Sequence, residues 1–268
     1  MLALLVALVI VGEPQLYRFG GRYILRNADH EEVMISAAAA PLKIVRVLFV
    51  GNSLTFTNDL PAMLVNIASS DPANHTQLEV NAETYPDATL NHMLTKTAAL
   101  TWAQAHHVDY VVLQEHSGWY ETQSGFDDAL KSIADWRDAL APLNEAPILF
   151  QVWADGAGGD VYANRDSTDA AKSPAGEAGA AATSTQSLGH KLGLPVVAIG
   201  QAFARATQTP GAPDVFRLDH HHPSVAGTYL AALVFYRRFT GRSGADATYR
   251  PWGMSAADAA MLVQLSGE

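Results

Sequence analysis

Two short segments, far apart in the chain, contain residue types that together could attack a carbonyl carbon. Gly51-Asn52-Ser53 follows an apolar run, and a serine in a tight turn between a buried strand and a helix is well placed to be a nucleophile. The helix start behind it would offer backbone N–H groups to an oxyanion. The segment from Asp219 to Pro223 contains three consecutive histidines. The carboxylate of Asp219 is close enough in sequence to accept the Nδ1–H of His222, whose Nε2 would then face Ser53.

Both segments also have ordinary interpretations. Gly-Asn-Ser is a common turn and helix cap, and adjacent histidines occur in solvated loops. Asp and His together are also ligands for zinc or a non-haem metal. These residues alone therefore leave a general base and a metal ligand equally open as the role of His222.

A third polar segment, Gln114-Glu115-His116-Ser117-Gly118, follows the apolar run DYVVL. A carboxamide at the carboxyl end of a strand can donate its N–H₂ to a developing oxyanion. Taken alone, the pattern is more typical of a glutamine that satisfies backbone groups of its own loop. Gln114 is thus a candidate that depends on what the other segments do.

The elements that must position these residues alternate along the chain. Apolar runs predict strands at 43–50, 77–82, 109–113, 147–152 and 195–199, and periodic segments predict helices at 59–69, 89–106, 126–140, 174–192 and 224–240, with a short one near 255–265. Such runs suit strands buried on both faces of a parallel sheet. We therefore expect a three-layer α/β/α fold with a roughly five-stranded parallel sheet, whose site lies at the carboxyl ends of the strands.

In their order along the chain, the motifs resemble those of the SGNH/GDSL hydrolase family, in particular a branch with glutamine where many members have asparagine. Residues 49–56 (FVGNSLTF) are similar to the first block of the family, 109–118 (DYVVLQEHSG) to the third and 219–224 (DHHHPS) to the fifth. FQVWAD, at 150–155, resembles the strand-four segment of this branch. The similarity extends from about residue 45 to 236.

This resemblance implies a flavodoxin-like fold and a serine esterase that needs no metal or organic cofactor. Ser53 would be the nucleophile, His222 the general base and Asp219 the acid that orients it. The backbone N–H of Ser53 and the side chain of Gln114 would bind the oxyanion. The expected partners are small-molecule or carbohydrate esters, with short acyl groups or acetylated sugars leading by family analogy only.

The second block departs from the family pattern, in which a glycine after the second strand supplies an oxyanion N–H. Tyr85-Pro86-Asp87-Ala88 occupies that place, and 71–104 contains no glycine. We place Asp87 at the glycine position, where a positive φ is unfavourable for a non-glycine residue. If Pro86 is equivalent instead, no N–H exists. The ordinary alternative is that Asp87 caps the following helix.

This departure keeps other functions open. The alternative to an esterase is a catalytically silent module of the same fold that binds a glycan in the same crevice. A metal hydrolase using Asp219 and the histidine run is a third reading. Trp119 and Trp153 lie near the loops and are predicted to line an acyl or sugar pocket, with core packing as the alternative.

Composition limits the classes further. The chain has 268 residues, 49% of them hydrophobic, which is enough for a sizeable core. A net charge of −10 disfavours a nucleic-acid binder and attraction to anionic membranes. Cysteine is absent, which excludes a thiol nucleophile, a disulfide or a Cys-ligated zinc site.

We divide the chain into an N-terminal apolar segment and linker at 1–40, a hydrolase-like domain at 41–245 and a tail at 246–268 that packs on it. The apolar run at 2–11 is too short for a comfortable membrane span, and none is expected in the main domain. The run has the length of a signal-peptide core, yet no Lys or Arg precedes it and no small-x-small cleavage pattern follows directly. An exported protein, periplasmic or secreted, and a cytoplasmic one stay equally open. Residues 13–33 are expected to form a small hairpin.

Overall fold

The computed structural model describes residues 43–143, 145–158, 162 and 173–267, together with the backbone of three N-terminal strands. The apolar run at 2–11, the linker before residue 41 and most of the predicted loop at 154–173 lie outside the described residues. Among the helices that are described, none is long and apolar enough to cross a membrane.

The N-terminal strands form a small antiparallel sheet of their own. They are β1 (Leu16–Phe19), β2 (Arg22–Arg26) and β3 (Glu32–Ile35), with β2 in the middle. The predicted hairpin is therefore part of a three-stranded sheet, because β2 pairs with both β1 and β3.

The central sheet has five parallel strands. These are β4 (Lys43–Gly51), β5 (Thr76–Thr84), β6 (Tyr110–Leu113), β7 (Ala146–Phe150) and β8 (Val196–Val197). Their spatial order is β5-β4-β6-β7-β8 and all neighbours are parallel. This is the flavodoxin-like order, which reverses direction at the first strand of the sheet. The predicted fold class is confirmed, and the carboxyl ends of β4, β5 and β6 meet at one edge.

Helices cover both faces of this sheet. They are α1 (Ser53–Phe56), α2 (Leu60–Ser70), α3 (Leu90–Lys96), α4 (Ala99–His106), α5 (Gln123–Leu140), α6 (Pro174–Leu192), α7 (Ile199–Gln208), α8 (Val225–Thr240) and α9 (Ala256–Leu265). Side chains cap several of them: Asp59 accepts a hydrogen bond from the backbone of α2 and Ser224 from that of α8.

The two faces of the sheet carry separate hydrophobic clusters. Successive β4 side chains point to opposite faces, so Phe49 packs with α2, α7 and α8, while Leu48 packs with α3, α4 and α5. Leu262 of α9 is fully buried in the first cluster. The alternation therefore produces the three layers.

The structure differs from the sequence prediction in two elements. The single helix predicted at 89–106 is divided into α3 and α4, because the Thr97 hydroxyl donates to the Met93 carbonyl and accepts from the Ala99 N–H. The fifth strand is only two residues long, and α7 follows it directly. Ile199, Ala202 and Phe203 are buried at helical spacing. This spacing indicates α7, but the strand predicted at 195–199 includes Ile199 and so obscured the pattern.

Two glycines of α6 provide a test of this packing. A Cβ on Gly179 would meet nothing within 4 Å, whereas a Cβ on Gly189 would lie 2.7 Å from Val196 and 2.8 Å from the Leu194 carbonyl. We expect Gly179→Ala to stabilise the protein by about 0.5–1 kcal/mol through helix propensity. Gly189→Ala should destabilise it by about 1–3 kcal/mol through overpacking. Denaturant unfolding measures both, and equal effects would contradict the packing of α6 on β8.

Candidate active site

Asn52 connects the loops that follow three neighbouring strands. Its side-chain oxygen accepts the Leu54 N–H at 3.2 Å and so caps α1, the short helix that begins with Ser53. Its side-chain nitrogen donates to the Ala88 carbonyl at 3.0 Å, in the loop after β5. Its backbone N–H donates to Gln114 Oε1 at 2.9 Å, at the end of β6. The sequence prediction used Asn52 only as part of the Gly-Asn-Ser turn and missed this role.

The side chain of Gln114 is fully buried and acts as a clamp between β4 and β6. Its Oε1 accepts from the Asn52 N–H and from the Thr55 hydroxyl at 3.0 Å, and its Nε2 donates to the Glu115 carbonyl at 2.6 Å. The Asn52 N–H needs an acceptor, so the amide oxygen must face it. This geometry corrects the expectation that Gln114 presents its N–H₂ to an oxyanion, because one N–H is used and the group has no exposed surface.

Glu115, which also follows β6, binds the backbone at the start of α3. Its carboxylate is nearly buried and accepts from the Leu90 N–H at 3.1 Å and the His116 N–H at 2.7 Å. Burial raises the pKa of Glu115, although these hydrogen bonds act in the opposite direction. The residue therefore holds the start of α3 against the end of β6.

The turn at Asp87 has a positive φ, the backbone conformation that a glycine would adopt readily at this position. The Ala88 N–H donates to the Tyr85 carbonyl at 3.3 Å, and Asp87 has a φ of +58°. Pro86 precedes the left-handed position, as in a type II turn, where glycine or asparagine is favoured. The Asp87 carboxylate is exposed and lies 2.8 Å from His116 Nε2. It does not cap α3, which is capped by the Thr89 side chain, so the capping alternative is wrong.

The histidine loop is held at both its ends and its middle. Residues Phe216 and Pro223 form an isolated antiparallel bridge that closes the loop. The His220 carbonyl accepts the Gly156 N–H at 2.7 Å, and the His221 carbonyl accepts the indole N–H of Trp153 at 3.0 Å. The loop is therefore hydrogen-bonded to the segment that follows β7.

Ser53, His222 and Asp219 form one chain of hydrogen bonds. His222 Nε2 lies 2.9 Å from Ser53 Oγ, and His222 Nδ1 lies 2.9 Å from Asp219 Oδ2. The other Asp219 oxygen accepts the backbone N–H groups of His221 and His222, at 3.0 and 2.9 Å. Partial burial alone would raise the pKa of Asp219, but these hydrogen bonds lower it to about 2. With Asp219 ionised, the proton of His222 resides on Nδ1 and Nε2 can accept from Ser53.

The two tryptophans lie in different surroundings. Trp153 is 2% exposed and its ring stacks on Phe203 with centroids 4.2 Å apart. The expectation that Trp153 lines a substrate pocket is therefore corrected: its indole supports the histidine loop from behind. Trp119 is half-buried against Tyr120 and Phe126.

The histidines of the loop pair with different carboxylates. His222 bonds to Asp219, whereas His221 Nδ1 lies 2.7 Å from Asp155 Oδ1. In the portion of the chain that the structure describes, no three His, Asp or Glu side chains converge as a metal-ligand set.

The sequence matches no family model and, among curated proteins, no relative. The fold does match solved structures. One neighbour is described as a candidate SGNH hydrolase from Slackia heliotrinireducens, with 26% identity, a TM-score of 0.59, and coverage of 74% of this chain and 100% of that one. A DUF4886 family protein from Bacteroides uniformis has 14% identity, a TM-score of 0.67 and coverage of 84% and 93%. An acetylxylan esterase from Geobacillus stearothermophilus has 16% identity, a TM-score of 0.53 and coverage of 74% and 95%. The fold is thus the one found in SGNH hydrolases and acetylxylan esterases.

The clamp at Gln114 can be tested by stability. We expect Gln114→Ala to lower the free energy of unfolding by about 2–4 kcal/mol, because it leaves the buried Asn52 N–H without an acceptor. Thr55→Val, which removes one hydroxyl and keeps the Asn52 bond, should cost only about 1 kcal/mol. Urea unfolding followed by circular dichroism measures both variants. If Gln114→Ala proves as stable as the unaltered protein, the clamp is not what holds this turn.

Proposed function

We propose that this protein is a serine hydrolase that cleaves carboxylic esters through an acyl-enzyme. The observation that carries the proposal is the unbroken hydrogen-bond chain from Ser53 Oγ through the His222 ring to Asp219. Ser53 and His222 come from loops 169 residues apart, and the Asp219 carboxylate is held by two backbone N–H groups of its own loop. Neighbours of the same fold that include an acetylxylan esterase support the assignment.

The geometry suits general-base catalysis at Ser53. His222 takes the proton as Ser53 Oγ attacks the ester carbonyl, and the ionised Asp219 stabilises the imidazolium that forms. His222 then gives the proton to the leaving alcohol oxygen, and the alcohol departs. Water attacks the acyl-serine with the same imidazole as base, which releases the acid and restores Ser53.

The oxyanion would be bound by backbone N–H groups. Neither the Ser53 N–H nor the Asp87 N–H donates to a protein acceptor in the described residues. Asn52 connects the two segments, because its side chain caps the Ser53 helix and donates to the carbonyl of Ala88, the residue after Asp87. We therefore assign the Ser53 and Asp87 N–H groups as donors, with Gln114 as a positioning residue that holds the Ser53 turn.

The substrate class that we propose is a short acyl ester or an acetylated carbohydrate. The domain responsible is proposed to span residues 41–245, with the tail at 246–268 packed on it through the buried Leu262. A silent glycan-binding module is the alternative that the following measurement separates from the enzyme.

Replacing members of the triad should abolish ester hydrolysis without unfolding the protein. Ser53→Ala removes the nucleophile and should lower kcat for 4-nitrophenyl acetate by at least about 10³-fold. Asp219→Asn keeps an oxygen for the two backbone N–H groups but turns an amide N–H₂ toward His222 Nδ1, so kcat should fall by about 10²–10⁴-fold.

A fluorophosphonate probe provides the control for this assignment. It should label the unaltered protein at Ser53 and leave Ser53→Ala unlabelled, with equal thermal unfolding of the two proteins. Folded protein that takes no label and hydrolyses no ester would support the binding module.

The role of Asp87 is proposed for its backbone and not for its carboxylate. Asp87→Gly keeps the N–H and relieves the left-handed conformation at φ +58°, so we expect kcat to stay within about threefold of the unaltered value. Asp87→Asn, which removes the charge and tolerates the same backbone, is the matched variant. A loss beyond about tenfold in both variants would mean that the carboxylate itself takes part.

A further inference from the structure

A second imidazole–carboxylate pair lies beside the proposed catalytic one. His221 Nδ1 is 2.7 Å from Asp155 Oδ1, and the rings of His221 and His222 meet edge to face with centroids 4.9 Å apart. The proposed mechanism uses His222 and leaves His221 without a task. Asp155 ends the FQVWAD segment at 150–155, and the proposed mechanism gives this residue no role.

The segment after β7 holds Asp155 firmly. Its backbone N–H donates to the buried Glu177 at 3.3 Å, and its carbonyl accepts the Tyr162 hydroxyl at 2.7 Å. Glu177 also accepts from the Tyr120 hydroxyl at 2.8 Å. The side chain of Asp155 is only 18% exposed. His221 is therefore oriented by a carboxylate that has little freedom to move.

The surroundings favour the charged form of His221. The hydrogen bond that His221 Nδ1–H donates to Asp155 raises the pKa of His221, burial acts in the opposite direction, and the charges of Asp155, Asp219 and Glu177 raise it further. Within the described part of the chain, these carboxylates and the His222 ring are the titratable groups found around it. Because Asp155 keeps the proton on Nδ1, the extra proton of the imidazolium resides on Nε2.

Among the residues that the structure describes, His221 Nε2 has no close hydrogen-bond partner. Ser117 Oγ lies 3.5 Å from this nitrogen, beyond the usual range for a strong hydrogen bond. The His221 side chain is 30% exposed. A partly exposed imidazole nitrogen and a hydroxyl thus lie together next to the imidazole that bonds to Ser53.

We propose that His221 and Ser117 form a specificity-determining pair that binds a second oxygen of the substrate's alcohol portion. This inference rests on the proposed function and names its substrate class: acyl esters of polyols or sugars that carry a free hydroxyl next to the ester. The leaving oxygen must lie at His222 Nε2 to receive its proton, and His221 packs against that ring, so an oxygen on the neighbouring carbon of the alcohol would face His221. A neutral hydroxyl suits the pair better than a carboxylate, because Asp155 and Asp219 already supply negative charge.

Two acetate esters of equal size test the pair. Propyl acetate and 2-hydroxyethyl acetate differ only by a terminal methyl in place of a hydroxyl, and acetate release follows both. The unaltered protein should prefer 2-hydroxyethyl acetate. His221→Gln should lower kcat/KM for that ester by about tenfold, mainly through KM, and leave propyl acetate within about twofold. Ser117→Ala should lower the same preference by about threefold.

His190→Gln, an exposed histidine at the end of α6, is the control and should change neither ester. The preference of the unaltered protein should also decline as the pH rises and His221 loses its Nε2 proton, whereas His221→Gln should show no such decline.

The outcomes separate the inference from the proposed function. An unchanged ratio of the two esters in His221→Gln would overturn the inference, and so would an equal loss of kcat on both, since that would make His221 only a support for His222. If the unaltered protein hydrolyses neither ester and matches Ser53→Ala, the proposed function fails and the inference falls with it.

Discussion

The site depends on one buried contact, the hydrogen bond from the Asn52 N–H to the Gln114 side chain. Gly51 allows it, because a Cβ there would lie 2.5 Å from Gln114 Oε1. With the amide in place, the turn that carries Ser53 is held to the end of β6, and the Asn52 side chain reaches the loop after β5. The loops that meet at Ser53 are thereby joined through hydrogen-bonded buried polar groups, which tolerate little displacement.

The histidine loop reaches the same edge of the sheet from the far end of the chain. It is positioned by backbone contacts to the segment after β7, in which Trp153 and Gly156 donate to its carbonyls. This arrangement places two imidazoles side by side, each oriented by its own carboxylate. In the proposed function, these separate carboxylates give the two imidazoles different tasks: His222 acts as a base and His221 binds the substrate.

The turn at Asp87 shows how a fold can keep a backbone geometry while changing the residue. Its left-handed φ is one that glycine adopts without cost and aspartate tolerates better than most residues. The exposed carboxylate turns toward His116 and α3 takes its cap from Thr89. The N–H that a glycine would offer is therefore kept, at the expense of some local strain.

The sequence by itself determined the order of strands and helices and the segments that bear Ser53, Asp219 and His222. Local pattern suffices for these, since apolar periodicity defines an element and the carboxyl ends of parallel strands define where a site lies. The local pattern did not predict the break at Thr97, which a side-chain hydrogen bond produces. It also did not predict α7, because the strand before this helix is only two residues long.

Only the tertiary structure decided which partner each polar atom finds. Gln114 has the residue type of an oxyanion donor, but its hydrogen bonds go to Asn52, Thr55 and Glu115, which are not all neighbours in sequence. Trp153 is aromatic and near the loops, yet it is buried against Phe203. The pairing of Asp155 with His221 joins residues 66 apart. The physical reason is the same in each case: a buried polar or aromatic group is used by whatever distant atom the fold brings to it, and residue type alone does not identify that atom.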